Sequence, residues 1–237
     1  MRANKSSHCQ NCPSKGSGIF CDLEALPLDD LSRQKVTNIF KKGQTLFVEG
    51  NPAYGLYCIS RGNIKISKVS NEGKDAIVRI AKAGDILGHR SIFTHQHYAA
   101  TATAIEETKV CFIDKKYIIK MVQDEPTVAK NIILRLGRDL GASESRIASF
   151  SQKNVFERIC ELLLLLKESH GEEVDGGKWK INIKLTREEM ASLVGTATET
   201  LIRFLSELKE ESLIEQEGKT MLILNEEKLV EYAKLEY

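Results

Sequence analysis

The chain has 237 residues, long enough for one large or two ordinary domains. Its 42% hydrophobic content and net charge of +1 describe a globular chain and exclude a protein that coats nucleic acid with a broad basic field. No apolar run approaches the ~20 residues that span a bilayer, and Met1-Arg2-Ala3-Asn4-Lys5 leads into cysteines rather than an apolar leader, so a cytoplasmic location is expected.

Three of the six cysteines fall in the first 21 residues, as Cys9-x2-Cys12-x8-Cys21. In a cytoplasmic setting this clustering points to a metal or redox site over structural disulfides. Two thiolates at C-x2-C spacing grip one metal centre, and Pro13, Gly16 and Gly18 let the following loop wrap. An iron–sulfur cluster, zinc (His8 adjoins Cys9) and a tail with spare thiols all stay open on spacing alone. Cys58, in the apolar stretch Gly55-Leu56-Tyr57-Cys58-Ile59, and Cys160, in an apolar helix, read as small core residues.

A short helical pattern runs from about Leu23 to Ile39. From Lys41 to Ala104 short β-rich runs are punctuated by Gly43, Gly50, Gly55, Gly62, Gly73, Gly84 and Gly88. Ile64 and Ile66 mark one run and Ala76–Ala81 alternates in another, with Asn71-Glu72-Gly73-Lys74 as the hairpin turn between them. Such spacing predicts a small antiparallel β-barrel or jelly roll, ending at Val110-Cys111-Phe112-Ile113.

Helix follows: a short piece over Lys116–Val122, then a long helix opened by Pro126. In it Ile133, Leu136, Leu140, Ser143, Ile147 and Phe150 recur at steps of three and four, the pattern of a coiled-coil dimer seam with one polar position or, over so few heptads, of an ordinary core helix. Ser151-Gln152-Lys153 breaks the pattern. Another helix spans Asn154–Ser169, and His170–Gly177 reads as a polar loop. A short strand carries Ile181 and Ile183.

The stretch Leu185–Leu208 reads as two short helices about a turn at Gly195. Met190, Leu193 and Val194 line one face of the first; Leu201, Phe204, Leu205 and Leu208 line one face of the second. Thr186 with Glu189, and Thr196 with Glu199, stand in capping-box spacing. This is a helix-turn-helix pattern, whose second helix fits a major groove. A β-hairpin turning through Gly218 follows, making it winged, and Asn225 caps a last helix running through Leu235.

The expected DNA contacts are Thr186, Arg187, Thr198, Glu199, Ile202 and Arg203. Arg pairs with the guanine edge and Glu accepts from cytosine N4, although Glu199 also fits a plain cap or an ion pair with Arg203. Between Lys178 and Thr220 there are seven Lys/Arg against eight Asp/Glu. Phosphate contacts must therefore come from a few placed residues (Arg187, Arg203, Lys180, Lys219), doubled in a dimer. No P-loop, H-E-x-x-H or G-x-S-x-G motif occurs, so no enzyme is expected.

The order of barrel, seam helix and winged helix resembles the CRP/FNR family of bacterial regulators. LTREEMASLVGTATETLIRFLSELKEESLI carries the likeness most specifically, with the glycine pattern through Gly50, Gly62, Gly73, Gly84 and Gly88. The resemblance implies an α+β architecture. Residues 1–25 form a cysteine-rich arm, 26–125 a cyclic-nucleotide-binding-like antiparallel β-barrel (jelly roll), 126–150 a long dimerisation helix and 151–237 a winged helix-turn-helix. It also implies a homodimer on double-stranded DNA with a palindromic site, and contact with RNA polymerase. Where the family's cyclic-nucleotide binders place Glu and Arg-Ser, this chain has His89 and Tyr98-Ala99, so cyclic nucleotide is not expected. The oxygen-sensing branch holds a [4Fe–4S] cluster on three N-terminal cysteines and one in the last barrel strand. The resemblance thereby assigns Cys9, Cys12, Cys21 and Cys111 as ligands. The x8 interval before Cys21 is longer than in the best-known member of that branch, and Ser143 stands where the branch carries an acidic residue. A regulator of the same kind without a cluster, sensing through thiols, zinc, haem or another small ligand, and a cyclic-nucleotide module working through protein partners remain as alternatives.

Overall fold

A computed structural model describes residues 8–69, 75–174, 176–218 and 220–235. The chain divides into two compact units, 1–142 and 143–237.

In the first unit, helix α1 (Ala25–Gln34) precedes strands β1 (Val36–Phe40), β2 (Thr45–Phe47), β3 (Gly55–Arg61), β4 (Ile64–Val69), β5 (Asp75–Ala81) and β6 (Ile86–Leu87). Helix α2 (His89–Phe93), β7 (Thr101–Ala104), β8 (Thr108–Asp114), α3 (Lys115–Asp124) and the start of α4 (Pro126–Gln152) follow. The strands form two antiparallel four-stranded sheets, β1-β8-β3-β6 and β2-β7-β4-β5, the jelly-roll pairing expected. Val36–Ile39 is strand, not helix: its residues pair with Lys109–Phe112 of β8, and that ladder outweighs the weak helical pattern. The turn expected at residues 71–74 lies outside the described residues.

Successive side chains of a strand point to opposite faces, and β3 and β8 use both. Tyr57, Ile59 and Val110 pack with Phe40, Ile64, Ile66 and Leu87 inside the barrel. Leu56 and Ile113 face the other way, into a second core that holds Leu28 and Leu31 of α1, Ile118 of α3, Val128 and Ile132 of α4, and Ile19 and Leu23 of the arm.

In the second unit, the remainder of α4 leads to α5 (Val155–His170), β9 (Gly171–Val174), β10 (Lys178–Ile181), α6 (Arg187–Val194), α7 (Thr198–Glu210), β11 (Ile214–Glu217), β12 (Thr220–Ile223) and α8 (Glu226–Ala233). Asn154 caps α5 in a reciprocal box with Glu157, which is why the helix restarts there. Residues 171–174, expected as loop, are a strand antiparallel to β10; Gly176 and Gly177, at positive φ, supply the bend back. The sheet runs β11-β12-β10-β9. The final helix ends at Ala233, with Lys234 in the left-handed region. Among the described residues no helix is long and apolar enough to cross a membrane.

Candidate functional site: a recognition helix and a thiol recess

Thr186 caps α6 as expected: its hydroxyl accepts from Glu189 N–H, and the Glu189 carboxylate accepts from Thr186 N–H. The second box, Thr196 with Glu199, does not form. The cap of α7 is Ala197, and that helix has no side-chain cap bond. Thr196 belongs instead to the end of α6, where the N–H groups of Gly195 and Thr196 both donate to Ala191 O, at 2.8 and 3.0 Å. Gly195 sits at φ 71°, ψ 51°, a left-handed helix stop that glycine adopts without Cβ strain.

Three side chains brace this turn. Arg146 donates to Leu193 O (2.7 Å) and Arg158 to Val194 O (3.0 Å), satisfying carbonyls that the end of α6 leaves unpaired. Both guanidiniums lie against the Phe150 ring, at 5.4 and 5.1 Å. Phe150, expected on the dimer seam, thus packs on the turn of its own chain. The other seam positions of α4 stand out: Ile133 is 68% exposed, Leu140 61% and Ile147 69%, while Leu136 is half-buried and Ser143 exposed.

On α7, Leu201, Leu205 and Leu208 are buried, and Phe204 meets Phe156 of α5 ring to ring. The opposite face shows Glu199, Ile202 and Arg203, with Thr198 half-exposed. Arg203 lies 4.0 Å from Glu207, one turn on, and over its neighbour Phe204, so the pairing with Glu199 weighed from spacing is not the one formed. Arg187 is half-buried and donates to the Gln216 side chain of the wing and to Met190 Sδ. Gln216 also accepts from Lys209 at the end of α7 (3.1 Å). Its role in fixing the wing root against both helices has no marker in the sequence.

The arm reaches β3 and β8. Cys9 N–H donates to Ser32 Oγ (2.8 Å) and Ser14 Oγ to Ser60 O (2.9 Å). Between arm, α1 and sheet lies a small recess of about 60 Å³, partly open to solvent. Cys9, Cys12, Cys58 and Cys111 line it, with Lys35. Cys58, read as core, lies on this wall because it shares a strand face with Leu56, and Cys111 shares one with Ile113. Cys58 is directly opposite Cys111 in the β3–β8 register. Thr37 Oγ1 touches Cys111 Sγ at 3.7 Å. Lys35 is 7% exposed. Burial opposes its charge, but Cys111, Cys9 and Cys12 and a hydrogen bond to Cys9 outweigh this and raise its pKa. Burial, with the neighbouring thiols, pushes the Cys58 thiol well above its ordinary value.

Cys21 is not among the lining residues. Its sulfur lies 3.9 Å from Asn131 Nδ2 of α4, and the same amide donates to Ile19 O and Asp22. Cys160 is fully buried in α5. Among the described residues no three His, Cys, Asp or Glu side chains converge on a point that could hold a single ion.

Tyr98 and His89, which stand where a nucleotide cassette would carry other residues, both contact protein. Tyr98 is buried, donates to Gly55 O (3.0 Å) and stacks on Phe47 at 4.0 Å between ring centres. His89 is buried, its Nε2 3.3 Å from Asp139 of α4. Asp139 accepts from Arg135 (2.9 Å), which also donates to Asp85 (2.5 Å).

A family model described as the cyclic nucleotide-binding domain matches residues 37–125, and one described as the Crp-like helix-turn-helix domain matches residues 157–232. A CRP-like cAMP-activated global transcriptional regulator of Mycobacterium tuberculosis is 30% identical over 218 residues, covering 92% of this chain and 97% of that one. The chain belongs to the CRP/FNR family of transcription regulators. The fumarate and nitrate reduction regulatory protein of Vibrio cholerae is 27% identical over 230 residues, covering 95% and 90%. The solved structure of FixK2 from Bradyrhizobium japonicum shares the fold, with TM-score 0.77, 20% identity and coverage of 86% and 99%. The Crp-like helix-turn-helix match lies within the second unit.

Proposed function

We propose that this regulator senses oxygen or redox state through a [4Fe–4S] cluster held in the thiol recess, and reads a palindromic DNA site as a cytoplasmic homodimer that contacts RNA polymerase. The observation that carries the sensing half is the meeting of two arm cysteines, Cys9 and Cys12, with Cys111 of β8 around one recess beside the buried Lys35 ammonium. The donor set suits this group: thiolates are the usual cluster ligands, and among the described residues no His or carboxylate lines the recess. A cubane takes one thiolate per iron around a body, so its ligands need not converge on a point as they would for zinc. Such a cluster supplies one-electron redox chemistry and lability to oxygen. The chain's own residues supply the rest. Lys35 offsets thiolate charge in a poorly solvated place. Ile19 and Leu23 carry the arm onto Val128 and Ile132 of α4, so the hold on the arm bears on the helix that carries the seam. Tyr98 and Ala99 standing where cyclic-nucleotide binders carry Arg-Ser argue against a cyclic phosphate as effector.

For DNA, Glu199, Ile202 and Arg203 form the exposed face that would meet base edges, with Thr198 at its start, while Thr186 and Arg187 fix the start of α6 and the wing. Two inverted half-sites about one helical turn apart suit such a dimer. Iron and acid-labile sulfide per chain, on protein purified without oxygen, test the sensing half. About four of each, lost on exposure to air, are expected, and no iron refutes it. A second reading, a thiol switch without a cluster, draws on the direct opposition of Cys58 and Cys111.

A further inference from the structure

We infer that Cys58 is a ligand of the thiol site, which is completed by Cys9, Cys12, Cys58 and Cys111, and that Cys21 is an anchor outside it. This rests on the cluster reading above and names its ligands.

Three observations carry it. First, Cys58 and Cys111 are directly opposed on neighbouring antiparallel strands, where Cβ atoms lie about 4.5–5.5 Å apart. Strand alternation turns both toward the arm, and both line the recess with Cys9 and Cys12. Two thiols then come from a rigid sheet and two from one short C-x2-C turn.

Second, Cys21 is held elsewhere. Its flanking residues Ile19 and Leu23 are 5% and 7% exposed, buried in the core that includes Val128 and Ile132 of α4. Asn131 ties Ile19 O, Asp22 and the Cys21 sulfur to that helix. Third, the long interval between Cys12 and Cys21 is clamped part-way. Ser14 donates to Ser60 O, and a Cβ on Gly84 would come within 2.3 Å of Ser17 Oγ, so the loop lies tight on the barrel edge. Gly18, Ile19 and Phe20 line the recess, but Cys21 does not, and Asn131 ties its sulfur and Ile19 O to α4. Cys58 already lines the recess, on the strand directly opposite Cys111. Each thiol that binds iron releases its proton to solvent, and no redox change accompanies ligation.

The test uses the full chain, reconstituted without oxygen with sulfide and equal amounts of ferrous and ferric iron, the oxidation level of a [4Fe–4S]2+ core. Iron, sulfide and visible absorption are measured for the parent, Cys21→Ala, Cys58→Ala and Cys111→Ala. Iodoacetamide labelling, read by mass spectrometry before and after removal of iron with a chelator, needs no variant and so is immune to misfolding. Cys21→Ala should keep the parent's iron while Cys58→Ala and Cys111→Ala lose more than half. Labelling of Cys58 in the parent should rise several-fold on chelation and that of Cys21 should not change. Loss of iron in Cys21→Ala with retention in Cys58→Ala, or chelation-dependent labelling of Cys21 but not Cys58, overturns this ligand set and leaves the cluster standing. A parent that takes up no iron overturns both.

Discussion

Gly195→Ala tests the account of the helix-turn-helix. At φ 71° an L-residue carries roughly 1–2 kcal/mol of left-handed strain. The added Cβ would also lie 2.6 Å from Phe150 Cε1 and 3.2 Å from Cζ. The ring cannot yield for nothing, since it is flanked by Arg146 and Arg158 and each such cation–ring contact is worth about 0.5–1 kcal/mol. The sum is about 2–4 kcal/mol, a midpoint shift of roughly 1–2 M urea for a domain of this size. Fluorescence isolates the relevant unit: the chain has one tryptophan, Trp179 on β10, with Lys167 Nζ 4.1 Å over its ring. In a Phe150→Leu background the clash is relieved and the cost should fall to the strain alone, about 1–2 kcal/mol. A cost below about 0.5 kcal/mol in the parent background would refute the turn geometry. An equal cost in both backgrounds would refute the role given to Phe150.

Arg203→Ala should cost ~1–3 kcal/mol of specific DNA binding and relax preference at one base pair, measured by gel shift on a panel of operator variants; undiminished specificity removes Arg203 from the base-reading set. Arg187→Ala instead frees Gln216 and the wing root, so its binding loss should be nearly uniform across that panel. Leu140→Glu places a charge on the exposed seam in both protomers and forfeits about 1.5–3 kcal/mol of burial in each. Sedimentation should show dimer association weakened at least 100-fold, and an unshifted equilibrium would place the interface elsewhere. Asp139 gives a pH dependence. Burial works to raise its carboxyl pKa, but the His89 hydrogen bond and the Arg79 and Arg135 charges overcome this and hold it below the ordinary value. A carboxylate lowered in the folded state stabilises above its unfolded pKa, about 3.9, and that stability drains as pH falls through the folded value. Thermal melts should therefore drop on acidification below about pH 4, more steeply in the parent than in Asp139→Asn.

Most helix ends of the second unit are legible in the sequence, because their causes are local. Thr186 with Glu189, Asn154 with Glu157, Gly195 and Asn225 are caps and stops that act over three or four residues. The misreadings came where a distant partner decides. Thr196 looks like a cap until Ala191 O takes its N–H; Val36–Ile39 looks helical until β8 pairs with it; residues 171–174 look like loop until β10 does. Cys58 is the instructive case. Its apolar neighbours mark a strand core, yet the same period of two that buries Tyr57 and Ile59 sends Leu56 and Cys58 to the opposite face. Whether that face meets a helix or a thiol recess depends on how the arm lies across the sheet. That in turn depends on Ser14, Ile19 and Leu23 finding Ser60 and α4. Spacing alone pairs Cys21 with Cys9 and Cys12 because they are close in sequence, whereas proximity in the fold is set by which residues the arm must bury. The apolar residues around Cys21 hold it against α4, and the alternation of β3 turns Cys58 toward the recess.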